Sequence, residues 1–573
     1  MKTFPTPEAL QRVPFSAADA AVMLGTLVLL AAIARVGGDA FVQFEPPQIV
    51  PAVELDLRQL PYYAGRSTLR MFVALVFSTL FTFVYGYIAA NSRRAEKVMV
   101  PLLDILQSVP VLGFLSITVT GFIALFPGSL LGLEAASIFA IFTSQVWNMT
   151  FSFYQSLRTI PRELDEAARL YQLSRWQRFT KLEVPYSMVG LLWNAMMSFG
   201  GGWFFVAESE AISVLNKDYT LPGLGSFVAA AIAAANIPLL GWAVLTIAVV
   251  IVAVDQLFWR PLIAWSDKFR LEQSASSEPP ESWVYELLKA ARIPRTLGTW
   301  LSPLWEASDR LLSRLTQFGS SVPTPDRPPA DRWFDIGVFV FIGLLLAWVL
   351  QFIVAAVGLP EVFKVLGLGT LTLVRVSVLL AIATVIWTPV GVAIGFNPQL
   401  ARLLQPVVQF LASFPANFVF PFATLFFVRT GASIEWGSVL LMSLGAQWYI
   451  LFNSIAGAQS IPTDLREMAD DVGLSGWQKW RRLIIPGIFS AWVTGGVTAS
   501  GGAWNASIVS EVVAWGNNKL EATGLGSYIA EATNSGDWGR IVLGIGVMSL
   551  FVVGLNRLLW RRLYELAETK YHL

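Results

Sequence analysis

Apolar residues run in blocks of about 20, the length that crosses a hydrocarbon core about 30 Å thick as a helix, and polar residues gather between the blocks. One set falls at about 17–36, 67–91, 101–126, 133–156, 186–207 and 238–260. A second falls at about 334–356, 370–396, 406–429, 436–458, 487–512 and 540–560. The pattern predicts an all-α polytopic membrane protein with about twelve spans in two sets of six. Gly and Pro inside several blocks are tolerated, because neighbouring helices satisfy the freed backbone groups. The first block lacks a small-residue cleavage signal and is expected to remain as an uncleaved anchor.

Charge between the blocks orients the chain. Arg93, Arg94 and Lys97 occupy one short loop, and Arg162, Arg169, Arg175, Arg178 and Lys181 another. The segment around 126–134 has no Lys or Arg, and 208–237 has only Lys217. The positive loops, and both termini with them, are expected in the cytoplasm. Residues 265–332 then form a cytoplasmic linker between a first half, 1–264, and a second, 333–573. Within it Trp300, Leu301, Leu304, Trp305, Leu311, Leu312 and Leu315 approximate one helical face, suited to the membrane surface or to packing against the rest of the chain.

Composition narrows the chemistry. Hydrophobic residues make up 55% of the 573 and charged residues 14%, with mean hydropathy +0.59; soluble domains carry about 25% charged residues. A net charge of +1 gives no basic excess for nucleic acid. With no cysteine and one histidine, His572, neither disulfides, Cys/His zinc sites nor Cys–His nucleophiles are expected, and the chain shows no carboxylate cluster for a metal and no expected cofactor.

The two sets of blocks are copies. At an offset of 301, Pro161 meets Pro462, Glu166 meets Glu467, Trp176-Gln177 meets Trp477-Gln478, Trp203 meets Trp504 and Glu210 meets Glu511. At the same offset Gly223-Leu-Gly-Ser226 meets Gly524-Leu-Gly-Ser527. Upstream the offset is 305, pairing Arg70 with Arg375, Pro101 with Pro406, Ser108 with Ser413 and Pro110 with Pro415. Both copies begin on the same side of the membrane, so they are parallel repeats, and their interface is the natural place for a pathway.

The matched loops read IPRELDEAARLYQLSRWQRFTKLEVP, Ile160–Pro185, and IPTDLREMADDVGLSGWQKWRRLIIP, Ile461–Pro486. Each predicts a helix opened by proline, a break, and a second short helix carrying Trp176 or Trp477. One such unit is equally explained as an interfacial anchor. Two copies at matched positions call for a twofold partner.

These loops resemble the EAA loop of ABC importer permeases, which docks in a groove of the ATPase subunit. Glu166, Ala167 and Ala168 match the motif in the first copy, where Gln172 stands in place of the family's glycine. Glu467, Ala469 and Gly473 match in the second, where Met468 replaces the first alanine. The stretches Gly200–Glu210 and Gly501–Glu511, each followed by Gly-Leu-Gly-Ser, are similar to permeases of the nitrate/taurine/sulfonate group, and the likeness covers about 66–262 and 368–562. The resemblance implies a type I importer permease (MetI-like) fold with two permease domains fused in one chain. It implies two cytoplasmic ABC ATPase subunits and an external, periplasmic solute-binding protein as partners, in the inner membrane of a bacterium. Its substrates would include nitrate, sulfonates, taurine or bicarbonate. No Gly-x-x-x-x-Gly-Lys-Ser/Thr phosphate loop occurs in the chain, so ATP hydrolysis would belong to a partner. The competing class is an ion-coupled secondary transporter with parallel repeats.

Glu208, Glu210 and Glu511 fall near the outer ends of their spans, where a carboxylate can brace the glycine-rich loop or line a pathway. Trp203, Trp504 and Asn505 stand beside them in the two motifs as candidate pathway or gate positions. Polar residues within other blocks, such as Gln145, Asn194 and Gln447, suit interhelical hydrogen bonds as well as a path.

Overall fold

The computed structural model describes residues 17–38, 53–108, 111–127, 129–214, 217–269, 282–291, 293–317, 332–516 and 518–570. In the first repeat the helices are α1 (Ala17–Gly38), α2 (Leu60–Asn91), α3 (Arg93–Ser108), α4 (Val111–Leu125), α5 (Leu131–Arg158), α6 (Arg162–Leu170), α7 (Arg175–Arg178) and α8 (Val184–Glu210). A hairpin, β1 (Ala211–Val214) and β2 (Lys217–Thr220), leads to α9 (Leu224–Ala233), α10 (Ile237–Val254) and α11 (Arg260–Ser266). Between the repeats lie α12 (Trp283–Ala290) and α13 (Ile293–Gln317). The second repeat runs α14 (Arg332–Val357), α15 (Leu359–Phe396), α16 (Pro398–Ser413), α17 (Phe420–Thr430), α18 (Ile434–Ser460), α19 (Thr463–Asp471), α20 (Gly476–Lys479) and α21 (Ile485–Ser510). It closes with β3 (Val512–Trp515), β4 (Asn518–Glu521), α22 (Leu525–Ser535), α23 (Trp538–Leu555) and α24 (Arg561–Lys570).

The structure is helical apart from two short hairpins, as the pattern of apolar blocks predicts. Among the described residues eight helical runs are long and apolar enough to cross a bilayer. The other four expected spans are not among those eight. Helix α1 runs 22 residues, Ala17–Gly38, and the 28-residue α5 carries Glu134, Gln145 and Asn148 among its apolar positions. The span expected at 406–429 is broken in two. In the second repeat the cause is Pro415, whose ring drives the preceding residue out of the helical region. Phe414 is accordingly extended, at φ −74° and ψ 127°, and a 3-10 turn over Ala416–Phe418 precedes α17. Pro110, the matching proline, lies outside the described residues; α3 ends at Ser108 and α4 starts at Val111.

The two short hairpins escaped the sequence pattern, and they repeat the same register: Ala211 pairs with Thr220 as Val512 pairs with Glu521. A wider π turn also recurs at matched positions, over Phe179–Glu183 and Trp480–Ile484. Pro185 and Pro486 follow, each lacking an N–H and crowding the carbonyl four residues back, which a locally widened helix relieves.

The chain divides into two compact units. One comprises Met1–Asp39, Ser152–Trp193 and Ala253–Arg327. In it α12 packs against α1 and α11, and α13 packs against α1 and α7. The other comprises Ala40–Phe151, Asn194–Val252 and Pro328–Leu573. Its largest core joins Leu115 and Val119 of α4 to Ile529 of α22 and to Val547 and Met548 of α23, so a helix of the first repeat is built into the interior of the second.

Candidate functional site

Both paired loops fold alike. Pro161 and Pro462 open their helices at φ −55° and ψ 141°. Each helix then ends in the same turn: Leu173 N–H donates to the Ala168 carbonyl at 3.1 Å, and Leu474 N–H to that of Ala469 at 2.8 Å. This six-residue closure requires one residue of positive φ. Gly473 supplies it at +73°, and Gln172, lacking the glycine, is held there at +50°. The departure in sequence therefore leaves the turn unchanged and places the conformational cost on Gln172. Ala168 and Ala469 are buried beneath the turns, whereas Glu166 and Glu467 are exposed and Ala167 is half-buried.

The second short helices differ. Ser174 caps α7 by accepting from Gln177 N–H at 3.2 Å, while Gln177 Oε1 accepts from Ser174 N–H at 3.2 Å. Trp176 is half-buried against Phe179, with ring centroids 5.9 Å apart. Helix α13 packs on α7, and Lys181 lies 3.8 Å from Asp309. In the other loop Trp477 is 71% exposed.

A second constellation recurs at the end of α8 and α21. Glu210 is fully buried and receives Ser67 Oγ at 2.6 Å, Arg70 Nη1 at 2.6 Å and Gly225 N–H at 2.7 Å. Glu511, equally buried, receives Thr372 Oγ1 at 2.8 Å, Arg375 Nη1 at 2.9 Å and Gly526 N–H at 2.7 Å. The same hydroxyls accept from Leu224 N–H at 3.0 Å and Leu525 N–H at 2.9 Å. Each carboxylate thus sits on the first amides of α9 or α22, where the helix dipole favours negative charge. The Gly-Leu-Gly-Ser motif exists for this approach. A Cβ on Gly223 would stand 2.3 Å from the Glu210 carboxyl, and one on Gly225 2.4 Å from the Ala207 carbonyl oxygen.

Arg70 also holds Glu134 through Nε at 2.5 Å, and Arg66 joins the same carboxylate. Two arginines and two glutamates therefore balance inside the first repeat. In the second, Arg375 faces Glu511 and Glu435, and where the first repeat has a second arginine Thr523 N–H and Oγ1 donate to Glu435 at 3.0 Å and 2.9 Å. The sequence pattern marks Arg70 and Arg375 only as a repeat pair, and does not mark Arg66, Glu134 or Glu435. The available signal was an arginine inside an apolar block, repeated at the offset of 305 as Arg70 and Arg375.

The remaining positions are scattered. Trp203 and Trp504 are 2% and 0% exposed; Trp203 meets Phe199 edge-on and Trp504 stacks on Phe551. Asn505 donates to the Gly501 carbonyl at 3.2 Å within its own helix. Glu208 accepts from Asn417 Nδ2 at 2.7 Å, joining α8 to the 3-10 turn that breaks the second repeat's third span.

Comparison with known proteins gives the same two-part picture. The family described as binding-protein-dependent transport system inner membrane component matches twice, at residues 82–258 and 388–570. The chain is 28% identical over 199 residues to the bicarbonate transport system permease protein CmpB of Synechococcus elongatus, covering 34% of this chain and 68% of that protein. It is 26% identical over 187 residues to the nitrate import permease protein NrtB of Leptolyngbya laminosa, covering 33% and 63%. It is 26% identical over 195 residues to the taurine transport system permease protein TauC of Escherichia coli, covering 34% and 67%.

Proposed function

This chain belongs to the binding-protein-dependent transport system inner membrane components, and from that premise we propose that it is a fused pair of permease domains importing a small solute by alternating access. Two cytoplasmic ABC ATPases dock on Ile160–Pro185 and Ile461–Pro486, and an external binding protein delivers the solute. Both termini lie in the cytoplasm, and bacterial inner membrane is the setting. The chain hydrolyses no ATP itself.

The observation that carries this reading is the recurrence of one turn in two loops that differ in sequence. A solitary anchor has no need to keep Gln172 at positive φ; a pair of docking sites for a twofold motor does. Exposed Glu166 and Glu467 face the ATPases, while buried Ala168 and Ala469 seat the docking helices on their own loops. Glu210 and Glu511 act as braces that lock the hairpin and the following helix to the arginine-bearing span. Nitrate, bicarbonate and taurine are the solutes of the relatives, and the substrate here is of that size.

The test is co-purification of an ABC ATPase with this chain and solute-stimulated ATP hydrolysis in liposomes. Glu166→Lys with Glu467→Lys is expected to abolish stimulation while leaving a folded chain. Uptake that persists with no ATPase present would overturn the reading in favour of ion-coupled transport.

A further inference from the structure

Glu134, Glu210 and Glu511 each lie against an arginine. Glu208, two residues from Glu210 on α8, has no cation within ion-pair distance among the described residues, and its carboxylate takes a hydrogen bond from Asn417 Nδ2 at 2.7 Å. Asn417 is 8% exposed; its Nδ2 donates also to the Phe204 carbonyl at 3.2 Å, and its Oδ1 is buried with no partner. Two acceptors flanking the amide nitrogen fix which way the amide points, so the orphan is the carbonyl oxygen. A carboxylate without a counter-charge and an unpaired carbonyl oxygen therefore belong to one site.

The fold does not require that pair. By the repeat offsets of 301 and 305, Glu208 corresponds to Val509 and Asn417 to Leu112, both apolar. The site is thus made once, from one residue of each repeat. Its backbone setting is equally specific: Asn417 sits in the 3-10 turn between α16 and α17. Non-helical backbone at membrane depth is tolerated where it is buried in protein or lines a cavity, and interrupted helices at a repeat interface are where transporters bind solute. Water could satisfy the Asn417 oxygen but would leave the carboxylate uncompensated, whereas a charged N–H donor answers both groups.

We propose that Glu208 and Asn417 bind a positively charged nitrogen group, an ammonium or guanidinium, of the solute in transit. This rests on the permease reading and narrows it: the solute is a cation or a zwitterion, and a bare oxyanion is disfavoured at this point of the path.

The intact chain in liposomes is treated with dicyclohexylcarbodiimide, and modification at each carboxylate is read by peptide mass spectrometry. Glu208 is expected to react, and ethylammonium chloride to lower its modification at least fivefold. Sodium nitrate at the same ionic strength is expected to have no effect, and arginine-paired Glu210 and Glu511 to be indifferent to both. In Asn417→Leu, checked for folding by size exclusion, protection by ethylammonium should fall away. Absence of labelling at Glu208, absence of protection by ethylammonium, or equal protection by sodium nitrate overturns the proposal; these wild-type readouts do not depend on the variant. Labelling needs no ATPase, so failure here leaves the permease reading standing, and loss of ATPase coupling does not affect this result.

Discussion

The guanidinium of Arg70 reaches the carboxylate of Glu210 at 2.6 Å, 140 residues away in the chain, with side chains 2% and 0% exposed. Removing one partner of a buried pair strands a charge and costs about 3–5 kcal/mol. Arg70→Leu is therefore expected to cut folded yield and thermal stability in detergent sharply. Arg70→Leu with Glu210→Gln should recover part of the loss, because a neutral side chain can still accept from Gly225. Arg375→Leu should cost about as much, since it strands Glu511, which is as fully buried as Glu210.

Gln172 and Gly473 provide a clean exchange. Gly473 has open space around its Cβ position and φ +73°, so Gly473→Ala tests backbone conformation alone. A loss of about 1 kcal/mol is expected, and Gln172→Gly should gain about as much. Thermal unfolding of the purified chain reads both, and equal melting temperatures in all three proteins would contradict the shared-turn geometry.

Gly225→Ala places a methyl 2.4 Å from the Ala207 carbonyl oxygen, and Gly526→Ala one 2.4 Å from that of Ser507. Both contacts are with backbone, which cannot step aside. Loss of monodisperse protein on size exclusion is expected for each. Gly546→Ala on α23 meets nothing within 4 Å and should be neutral or stabilising by about 0.5–1 kcal/mol.

On the proposed function, the two paired loops should respond unequally to the ATPase. Trp477 is 71% exposed and free to anchor a partner, whereas Trp176 already packs on Phe179 beside α13. A tryptophan that acts as an interface hot spot is worth about 2 kcal/mol or more, about 30-fold in affinity. Trp477→Ala is expected to weaken ATPase binding by about that factor, and Trp176→Ala by less while lowering thermal stability. Asp309→Ala, which removes the contact with Lys181, should change ATPase affinity only where the first loop is intact. Titration of labelled ATPase against each variant decides it.

Periodic apolar blocks, loop charge and the two offsets determined the helical class, the duplication and the paired loops, because these depend on neighbours in sequence and on a uniform bilayer solvent. Proline at 415 breaks the third span of the second repeat by a local steric effect, although the apolar pattern alone reads 406–429 as one block. Tertiary structure decided the rest. That Gln172 would accept the glycine's backbone angle depended on the closure between Leu173 and Ala168. That Glu210 meets Arg70 while Glu208, two residues earlier, meets an asparagine from the other repeat depended on which face of α8 each side chain takes and what packs there. A sequence records charge but not distance, and in a low-dielectric interior distance separates a structural ion pair from a carboxylate still open to a ligand.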